Sequence, residues 1–439
     1  MAGEITQFVL GDRCVVKSSK RVFAEEYVEF GIPFFRSKDV IDKALGEFHR
    51  YDLFISDKRY RELKETHGSP RKGDVLISSV GNRSGQSYVV KDEGDFYFKD
   101  GNIIWLSDFN ELDPCCLSYW LKSTEGQHAL SSVMIGSAQK ALTIDSLRKL
   151  SVELPPLAEQ KAIAAVLVAL DDKIELNRRM NATLEAMARA LFQSWFLDFD
   201  PVRAKLDGRK PIGLDEATAA LFPDSFQESS LGHIPKGWSA TTLGACIGFR
   251  SGFSFKSQDW QESGVPVVKI GSVKPGIIDL TQVSYVSEEI AQQAARYRLS
   301  TGDMLIGMTG YVGEVGLVPP SGNPPLLNQR VGKFVMANPG TESLAFWYCT
   351  TRQPEFKAFV EARSHGTAQA NVSGESIMEF PLALPPSGIL DSFNRDCQPL
   401  FDCILSNHGQ SRTLATLRDT LLPKLLSGDL SVDQRSGVS

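Results

Sequence analysis

The sequence lacks a membrane-spanning segment, a disulfide framework and a secretion signal. Its longest uninterrupted apolar run, residues 162–170, is far shorter than the ~20 residues that a membrane helix needs. The seven cysteines include no C-x-x-C pair and have no histidine at zinc-ligand spacing, which indicates free thiols in a reducing compartment. The first residues show no basic segment followed by an apolar one, so we expect no signal peptide. These absences are typical of a cytoplasmic protein.

The sequence also lacks an excess of positive charge and a catalytic constellation. Its 47 Lys and Arg residues face 53 Asp and Glu residues, a net charge of −6, so bulk charge alone does not favour nucleic acid, although a local basic patch is compatible with it. The six histidines are scattered, and none pairs with Ser, Cys or an acid at an informative spacing. Residues 323–326 (Asn-Pro-Pro-Leu) carry leucine where adenine methyltransferases stack an aromatic ring on the target base, and no G-x-G cofactor loop follows a strand. We therefore predict no catalytic residue and no metal ligand.

What the sequence does contain is an internal repeat. Its 439 residues are too many for one ordinary domain. Four short segments recur in the same order at offsets of 229 to 233 residues: Leu154-Pro155-Pro156 as Leu384-Pro385-Pro386, 136–140 as 366–370, 73–77 as 302–306, and 31–36 as 264–269. A conserved order at a nearly constant offset predicts two similar domains.

Each copy ends in a long helical segment with a regular apolar pattern. Apolar positions alternate in steps of four and three residues: Ile163, Leu167, Leu170, Ile174, Leu184, Ala188, Leu191 and Trp195 in the first copy, and Phe393, Cys397, Leu400, Ile404, Leu414, Leu421 and Leu425 in the second. This spacing indicates a coiled coil, whereas the alternative is two amphipathic helices that each pack on their own domain. Asn177 and Asn407 occupy equivalent core positions, where we predict that they face each other and set the helix register; alternatively, each side chain turns outward.

The predicted fold class is α+β, with two repeated mixed α/β domains joined by two long antiparallel coiled-coil helices. The predicted boundaries are 1–154 for the first domain, 155–199 for the first helix, 200–232 for a connector, 233–384 for the second domain, 385–428 for the second helix and 429–439 for a tail. The repeated domains are dense in Gly, Pro and short β-type runs, which favours strands joined by loops.

Loops in both copies carry side chains that suit DNA reading. Arg forms paired hydrogen bonds with guanine, Asn and Gln do so with adenine, and Lys mostly anchors phosphate. Between residues 36 and 72, ten basic residues face seven acidic ones, with aromatic residues interleaved. The candidate DNA-binding residues are Arg36, Lys38, Asn82, Arg83, Gln86, Gln139 and Lys140 in the first copy, and Lys269, Lys274, Thr309, Tyr311, Gln369 and Asn371 in the second. Each alone is more typical of a solvated surface, but their repeated placement favours DNA binding.

The helix starts and the connector resemble the specificity subunits of Type I restriction-modification systems. The resemblance is carried by segments 154–163, 170–177, 191–196, 199–205, 220–223 and 234–238, which include the sequences Leu-Pro-Pro-Leu-Ala-Glu-Gln and Ile-Pro-Lys-Gly-Trp. There are two departures: the first domain lacks the Ile-Pro-x-Gly-Trp start, and the second helix begins Ser-Gly-Ile-Leu at 387–390.

The resemblance implies a division of labour among subunits. Each target recognition domain would read one half of a bipartite site in double-stranded DNA, and this chain would have no catalytic residue and no cofactor. Two modification subunits would bind S-adenosylmethionine and methylate adenine, and restriction subunits would translocate and cleave DNA. The alternatives are a coiled-coil scaffold whose domains bind ligands other than DNA and, less favoured, a stand-alone adenine methyltransferase.

Overall fold

The computed structural model describes residues 5–46, 50–81, 83–135, 141–336, 344–365 and 370–432. The chain divides into two compact units, one made of residues 1–175 and 413–439 and the other of residues 176–412. Each of the two long helices therefore contributes one part to each unit.

Two four-stranded sheets form the recognition part of the first unit. Its strands are β1 (Thr6–Val9), β2 (Val15–Lys17), β3 (Tyr27–Val28), β4 (Ile32–Phe35), β5 (Phe54–Ile55), β6 (Val75–Ser78), β7 (Ser87–Val89), β8 (Tyr97–Phe98), β9 (Ile103–Ser107) and β10 (Ser151–Leu154). Its helices are α1 (Ser37–Ala44), α2 (Asp57–His67), α3 (Pro114–Lys122), α4 (Thr124–Val133) and α5 (Ile144–Arg148). The strand orders are β2-β9-β6-β7 and β3-β5-β4-β8, and β1 pairs antiparallel with β10. Strands β6 and β9 are fully buried, as their continuous apolar runs require.

The first long helix, α6, spans Leu157–Phe192. It is shorter than the predicted helical segment, because a π-helical turn at Gln193–Leu197 follows and Phe199 has a positive φ of 55°. In the first unit, Ile163 and Leu167 of α6 share a buried core with Leu425 of the second long helix.

The second unit repeats this architecture with additions. Its helices are α7 (Asp200–Leu206), α8 (Glu216–Leu221), α9 (Leu243–Cys246), α10 (Glu288–Gln293), α11 (Leu344–Thr351), α12 (Pro354–Ala362) and α13 (Gly374–Met378), together with the part before residue 413 of the second long helix, α14 (Ser387–Leu426). Its strands are β11 (Phe226–Ser229), β12 (Gly232–Pro235), β13 (Ser239–Thr242), β14 (Gly248–Ser251), β15 (Trp260–Gln261), β16 (Val265–Val268), β17 (Val273–Lys274), β18 (Gly276–Ile278), β19 (Val283–Val286), β20 (Met304–Gly307), β21 (Val315–Leu317), β22 (Leu326–Leu327), β23 (Val331–Val335) and β24 (Pro381–Leu384).

The sheet topology confirms the two-copy fold. In the second unit, β14-β23-β20-β21 corresponds to β2-β9-β6-β7 of the first, and β15-β19-β16-β22 corresponds to β3-β5-β4-β8. The pairing of β13 with β24 likewise corresponds to that of β1 with β10. The second copy adds β17 and β18 to its larger sheet. The exact domain boundaries stay predictions.

The seam between the long helices is also as predicted. Every predicted seam position on α6 and α14 is buried or half-buried, and within the second unit Phe192 contacts Phe393 while Asn177 lies beside Asn407, which is an antiparallel arrangement. Pro399 and Pro423 lie inside α14, where each removes a backbone donor at a cost of about 3 kcal/mol. Both prolines are exposed, so the apolar face opposite them still packs.

Each recognition part contacts the long helices of its own unit through polar side chains. In the first unit, the Tyr119 hydroxyl donates to Asp171 Oδ2 at 2.6 Å, and Arg418 pairs with Asp171 Oδ1 at 2.6 Å. Burial and the neighbouring Asp171 raise the pKa of Tyr119 well above its usual value, so it is a neutral donor. In the second unit, Arg352 pairs with Glu185 at 3.4 Å. These contacts tie α3 of the first unit and the residue after α11 of the second unit to α6.

Candidate nucleic-acid interface

In the first unit, two loop segments flanking predicted DNA-reading residues lie side by side. Val80, the second residue after β6, forms an antiparallel bridge with Ala141, and Leu142 N donates to Ser79 O at 2.8 Å. Ala141 also pairs with Ile135 through backbone hydrogen bonds of 3.0 and 2.9 Å. The fold therefore brings the segment after β6 next to residues far away in the sequence.

The second unit builds the same arrangement. Thr309, the second residue after β20, forms an antiparallel bridge with Asn371, and Asn371 pairs with His365. The Thr309 hydroxyl donates to Asn371 Oδ1 at 2.8 Å, and Val372 N donates to Met308 O at 3.0 Å. The two copies therefore share this pairing as well as their sheets.

A third segment completes the arrangement in both copies. The turn before β9 ends at Asn102, whose carbonyl accepts from Ser79 N at 2.9 Å. The turn before β23 ends at Arg330, whose carbonyl accepts from Met308 N at 3.1 Å. We call each set of three hydrogen-bonded segments a three-segment ladder: residues 102, 79–80 and 141–142 in the first unit, and 330, 308–309 and 371–372 in the second.

A glycine follows each ladder and turns the chain back. Gly81 and Gly310 have φ angles of 92° and 73°, in the left-handed region that side chains disfavour. The loops that follow present exposed Arg83 and Tyr311, the latter 55% exposed. The Arg83 carbonyl accepts from the Ser78 hydroxyl at 2.8 Å, which ties the loop to β6. The loops are thus anchored at the ladder and open at their tips.

The remaining candidates of the second unit lie on and near the β16–β17 segment. Lys274 Nζ lies 5.7 Å from the centre of the Tyr311 ring, so β17 borders the loop after β20. Lys269 Nζ lies 4.5 Å from the centre of the Trp260 ring. Thr309 is buried against its partner, whereas Asn371 is exposed. The structure therefore brings Lys274, Thr309, Tyr311 and Asn371 together.

The candidates Arg36 and Lys38 lie at the start of α1. Lys38 is exposed, but the Arg36 guanidinium bonds Asp52 at 2.6 Å and lies 3.5 Å from Asp39. Other cations of the 36–72 window are also paired within the fold: Lys43 with Glu93, Arg59 with Glu26 and Glu62, and Lys64 with Asp95. Much of the positive charge in this window is therefore neutralised locally. Gln86 is half-buried directly before β7.

Four candidates lie outside the described residues: Asn82, Gln139, Lys140 and Gln369. The sequence analysis did not single out Asn102 or Arg330, although both hold a ladder position. The available signal was the polar triplet 328–330 between two apolar runs, at the place where the first copy has residues 100–102.

Asn177 and Asn407 meet in the seam of the second unit, but with an offset. Asn177 Nδ2 lies 3.4 Å from the Asn407 carbonyl and donates to Gln410 Oε1 at 2.8 Å. The Asn407 amide instead donates to Asn181 Oδ1 at 2.8 Å. Asn177 Oδ1 is buried without a hydrogen-bond partner. The two residues are in contact, and their role in register stays a prediction.

The described ranges show no metal-ligand cluster and no exposed side chain at the stacking position of the Asn-Pro-Pro-Leu segment. The described residues contain no group of three His, Cys, Asp or Glu side chains that could hold a metal ion. In the Asn-Pro-Pro-Leu segment, Leu326 is fully buried in β22, so it cannot stack on an extruded base. No helix of the described ranges combines the length and the apolar character that crossing a membrane requires.

Comparison with known proteins decides the family. The family model described as "Type I restriction modification DNA specificity domain" matches residues 4–186 and 235–395. The chain belongs to this family. It is a specificity subunit of a Type I restriction-modification system, a DNA-binding chain without a catalytic role of its own, and neither the scaffold nor the methyltransferase alternative is supported.

Individual relatives agree with this assignment. The chain is 26% identical to the Type I restriction enzyme HindI specificity subunit of Haemophilus influenzae, over 82% of this chain and 87% of that protein. It is also 26% identical to the MjaIX specificity subunit of Methanocaldococcus jannaschii, over 93% of this chain and 89% of that protein. A crystal structure of the Type-I restriction-modification S subunit from M. genitalium shares the fold, with a TM-score of 0.54, 18% identity, and coverage of 97% of this chain and 96% of that one.

Proposed function

We propose that each three-segment ladder, with the loop that follows it, contacts one half of a bipartite site in double-stranded DNA. The observation that carries this proposal is the repetition of the ladder, because two equivalent sets of polar loops suit a target with two halves. Exposed Arg83 in one copy and exposed Tyr311 and Asn371 in the other supply hydrogen-bonding and stacking groups. Arg and Asn side chains of this kind read bases, while Lys274 suits a phosphate.

The partners follow from membership of a Type I system. The chain would position two modification subunits, which bind S-adenosylmethionine and methylate adenine, and restriction subunits, which translocate and cleave DNA. Such an assembly works where the chromosome lies, so we assign it to the cytoplasm. The net charge of −6 fits a chain that shares phosphate binding with its partners.

Domain exchange tests the two-half assignment. We would assemble the chain with its modification subunits, map methyladenine on genomic DNA, and then replace residues 1–154 with the corresponding region of a relative. One half of the methylated motif should change while the other stays the same. A change in both halves, or methylation without any motif, would contradict the proposal.

Single substitutions test the distinction between base reading and phosphate anchoring. Arg83→Ala should relax one base position of one half-site, because a paired contact to a base is lost. Lys274→Ala should weaken binding to all sequences alike and lower the salt slope by about one. Binding would be measured on cognate and scrambled duplexes at several salt concentrations. Identical behaviour of both variants on the two duplexes would contradict the assignment.

A further inference from the structure

We propose that Arg330 is a base-reading residue of the second recognition domain and that it selects guanine at one position of its half-site. This inference rests on the proposed function of the ladders and adds a residue to one of them. It is argued from the backbone of Arg330, from the environment of its side chain and from its counterpart in the first domain.

The Arg330 backbone is held from two sides. Its N–H donates to Asn328 Oδ1 at 3.2 Å, and its carbonyl accepts from Met308 N at 3.1 Å. Asn328 is only 7% exposed, and its carbonyl accepts from Val331 N at 3.0 Å, so the turn is tied into the start of β23. A fixed backbone loses little conformational entropy when the side chain binds a ligand, and this favours specific recognition.

The Arg330 side chain is exposed and unengaged. No hydrogen bond or ion pair of the described residues involves its guanidinium, whereas other arginines of the second unit are held. Arg352 pairs with Glu185 and Glu314, and Arg298 donates to the Pro324 carbonyl at 3.3 Å. A guanidinium without an internal partner can bind DNA without first breaking an ion pair.

The ladder places Arg330 in a line with the other candidates. The Arg330 carbonyl accepts from Met308 N, and the Met308 carbonyl accepts from Val372 N. Thr309, the residue after Met308, pairs with Asn371, the residue before Val372. The Arg330 backbone therefore lies next to the residues that flank the Thr309–Asn371 pair, although its position in the sequence is remote from both. The second ladder thus carries an exposed guanidinium and an exposed carboxamide, the two groups that discriminate guanine and adenine.

The counterpart in the first domain has different chemistry. Asn102 has the corresponding place in the first three-segment ladder, because its carbonyl accepts from Ser79 N just as the Arg330 carbonyl accepts from Met308 N. A guanidinium donates two bonds to guanine O6 and N7, whereas an amide pairs with adenine N6 and N7. The same position thus carries an arginine in one copy and an asparagine in the other, so we expect the two half-sites to differ at the base pair that this position reads.

The test uses the full chain assembled with its modification subunits. Arg330→Asn and Arg330→Lys would be compared on a duplex library in which every position of both half-sites is varied, with methyladenine as the readout. Arg330→Asn should reduce discrimination at one base pair of one half-site by about 5- to 150-fold and leave the other half-site unchanged. Arg330→Lys should lose that discrimination too, while it keeps the charge and the salt slope.

Arg298→Asn is the matched control, because it removes one exposed charge from the same domain at a residue outside the ladder. It should leave the motif unchanged. An unchanged motif in Arg330→Asn would overturn the inference, and so would a uniform loss of affinity with a salt slope lower by about one, which indicates a phosphate contact. Both results are distinct from failure of the proposed function, in which the wild-type complex itself would methylate without a bipartite motif.

Discussion

The seam of the second unit predicts a strong energetic coupling between Asn181 and Asn407. The Asn407 amide donates to Asn181 Oδ1 at 2.8 Å, and both residues are more than 90% buried. Asn407→Leu would leave Asn181 Oδ1 without a donor, and Asn181→Leu would leave the Asn407 amide with only the weak acceptor Cys403 Sγ at 3.7 Å. An unsatisfied buried polar group costs about 1–3 kcal/mol, whereas replacing both partners with apolar groups is nearly neutral.

The coupling free energy should therefore be about 1–3 kcal/mol in a double-mutant cycle. It would be measured from urea unfolding of the full chain, by following the transition of the second unit in the wild type, both single variants and the double variant. Gln398→Leu is the control on the same helix, because among the described residues its side chain bonds just the exposed Asp402, and it should change stability by less than about 0.5 kcal/mol.

Additive single substitutions would refute this reasoning. A coupling below about 0.5 kcal/mol would mean that water satisfies both amides and that the seam is wet. Asn177→Leu should cost less than Asn407→Leu, because it removes the buried Asn177 Oδ1, which has no partner, and because its acceptor Gln410 is exposed and can bond water instead. If Asn177 also sets the helix register, the Asn177→Leu variant should in addition form self-associated species in size-exclusion chromatography.

Two further predictions concern packing and thiol chemistry. Phe393→Ala should destabilise the second unit by about 3–5 kcal/mol, because Phe393 is fully buried among aromatic rings, whereas Met187→Ala, at a residue 51% exposed, should cost less than about 1 kcal/mol in the same urea assay. Burial raises the pKa of Cys14 and of Cys397 to about 12, so each stays a protonated thiol until the pH approaches that value. Alkylation at pH 8 followed by mass spectrometry should modify half-buried Cys403 well before these two, and early modification of Cys14 or Cys397 would contradict their burial.

The seam and the repeat could be predicted because both are regular. The alternation of four and three residues along α6 and α14 needs only the helix period, and every seam position is buried or half-buried in the structure. The repeated Leu-Pro-Pro sequences mark the ends of β10 and β24, which pair in the same way in both copies. Such features depend on neighbours a few residues apart or on an internal copy, so one chain suffices to find them.

The surroundings of charged and polar side chains could not be predicted in this way. The basic surplus between residues 36 and 72 is reduced by ion pairs with Glu26, Glu93 and Asp95, which lie outside that window. The hydrogen-bond partners of the seam amides likewise depend on the axial position of α14 along α6. At the observed position the Asn407 amide donates to Asn181 and not to Asn177. A shift of a fraction of one helical turn decides this pairing.

The sequence by itself determined that this protein has two related domains, two long helices and a family resemblance, because periodicity and repetition are properties of the order of residues alone. Only the tertiary structure decided which polar residues share a surface. Arg330 and Val372 are each joined to Met308 by a backbone hydrogen bond, and Thr309 bridges Asn371, so the paired residues lie 22 to 64 positions apart in the sequence. Such contacts form only when the sheets close, since loop closure brings distant segments together without leaving a local pattern in the sequence.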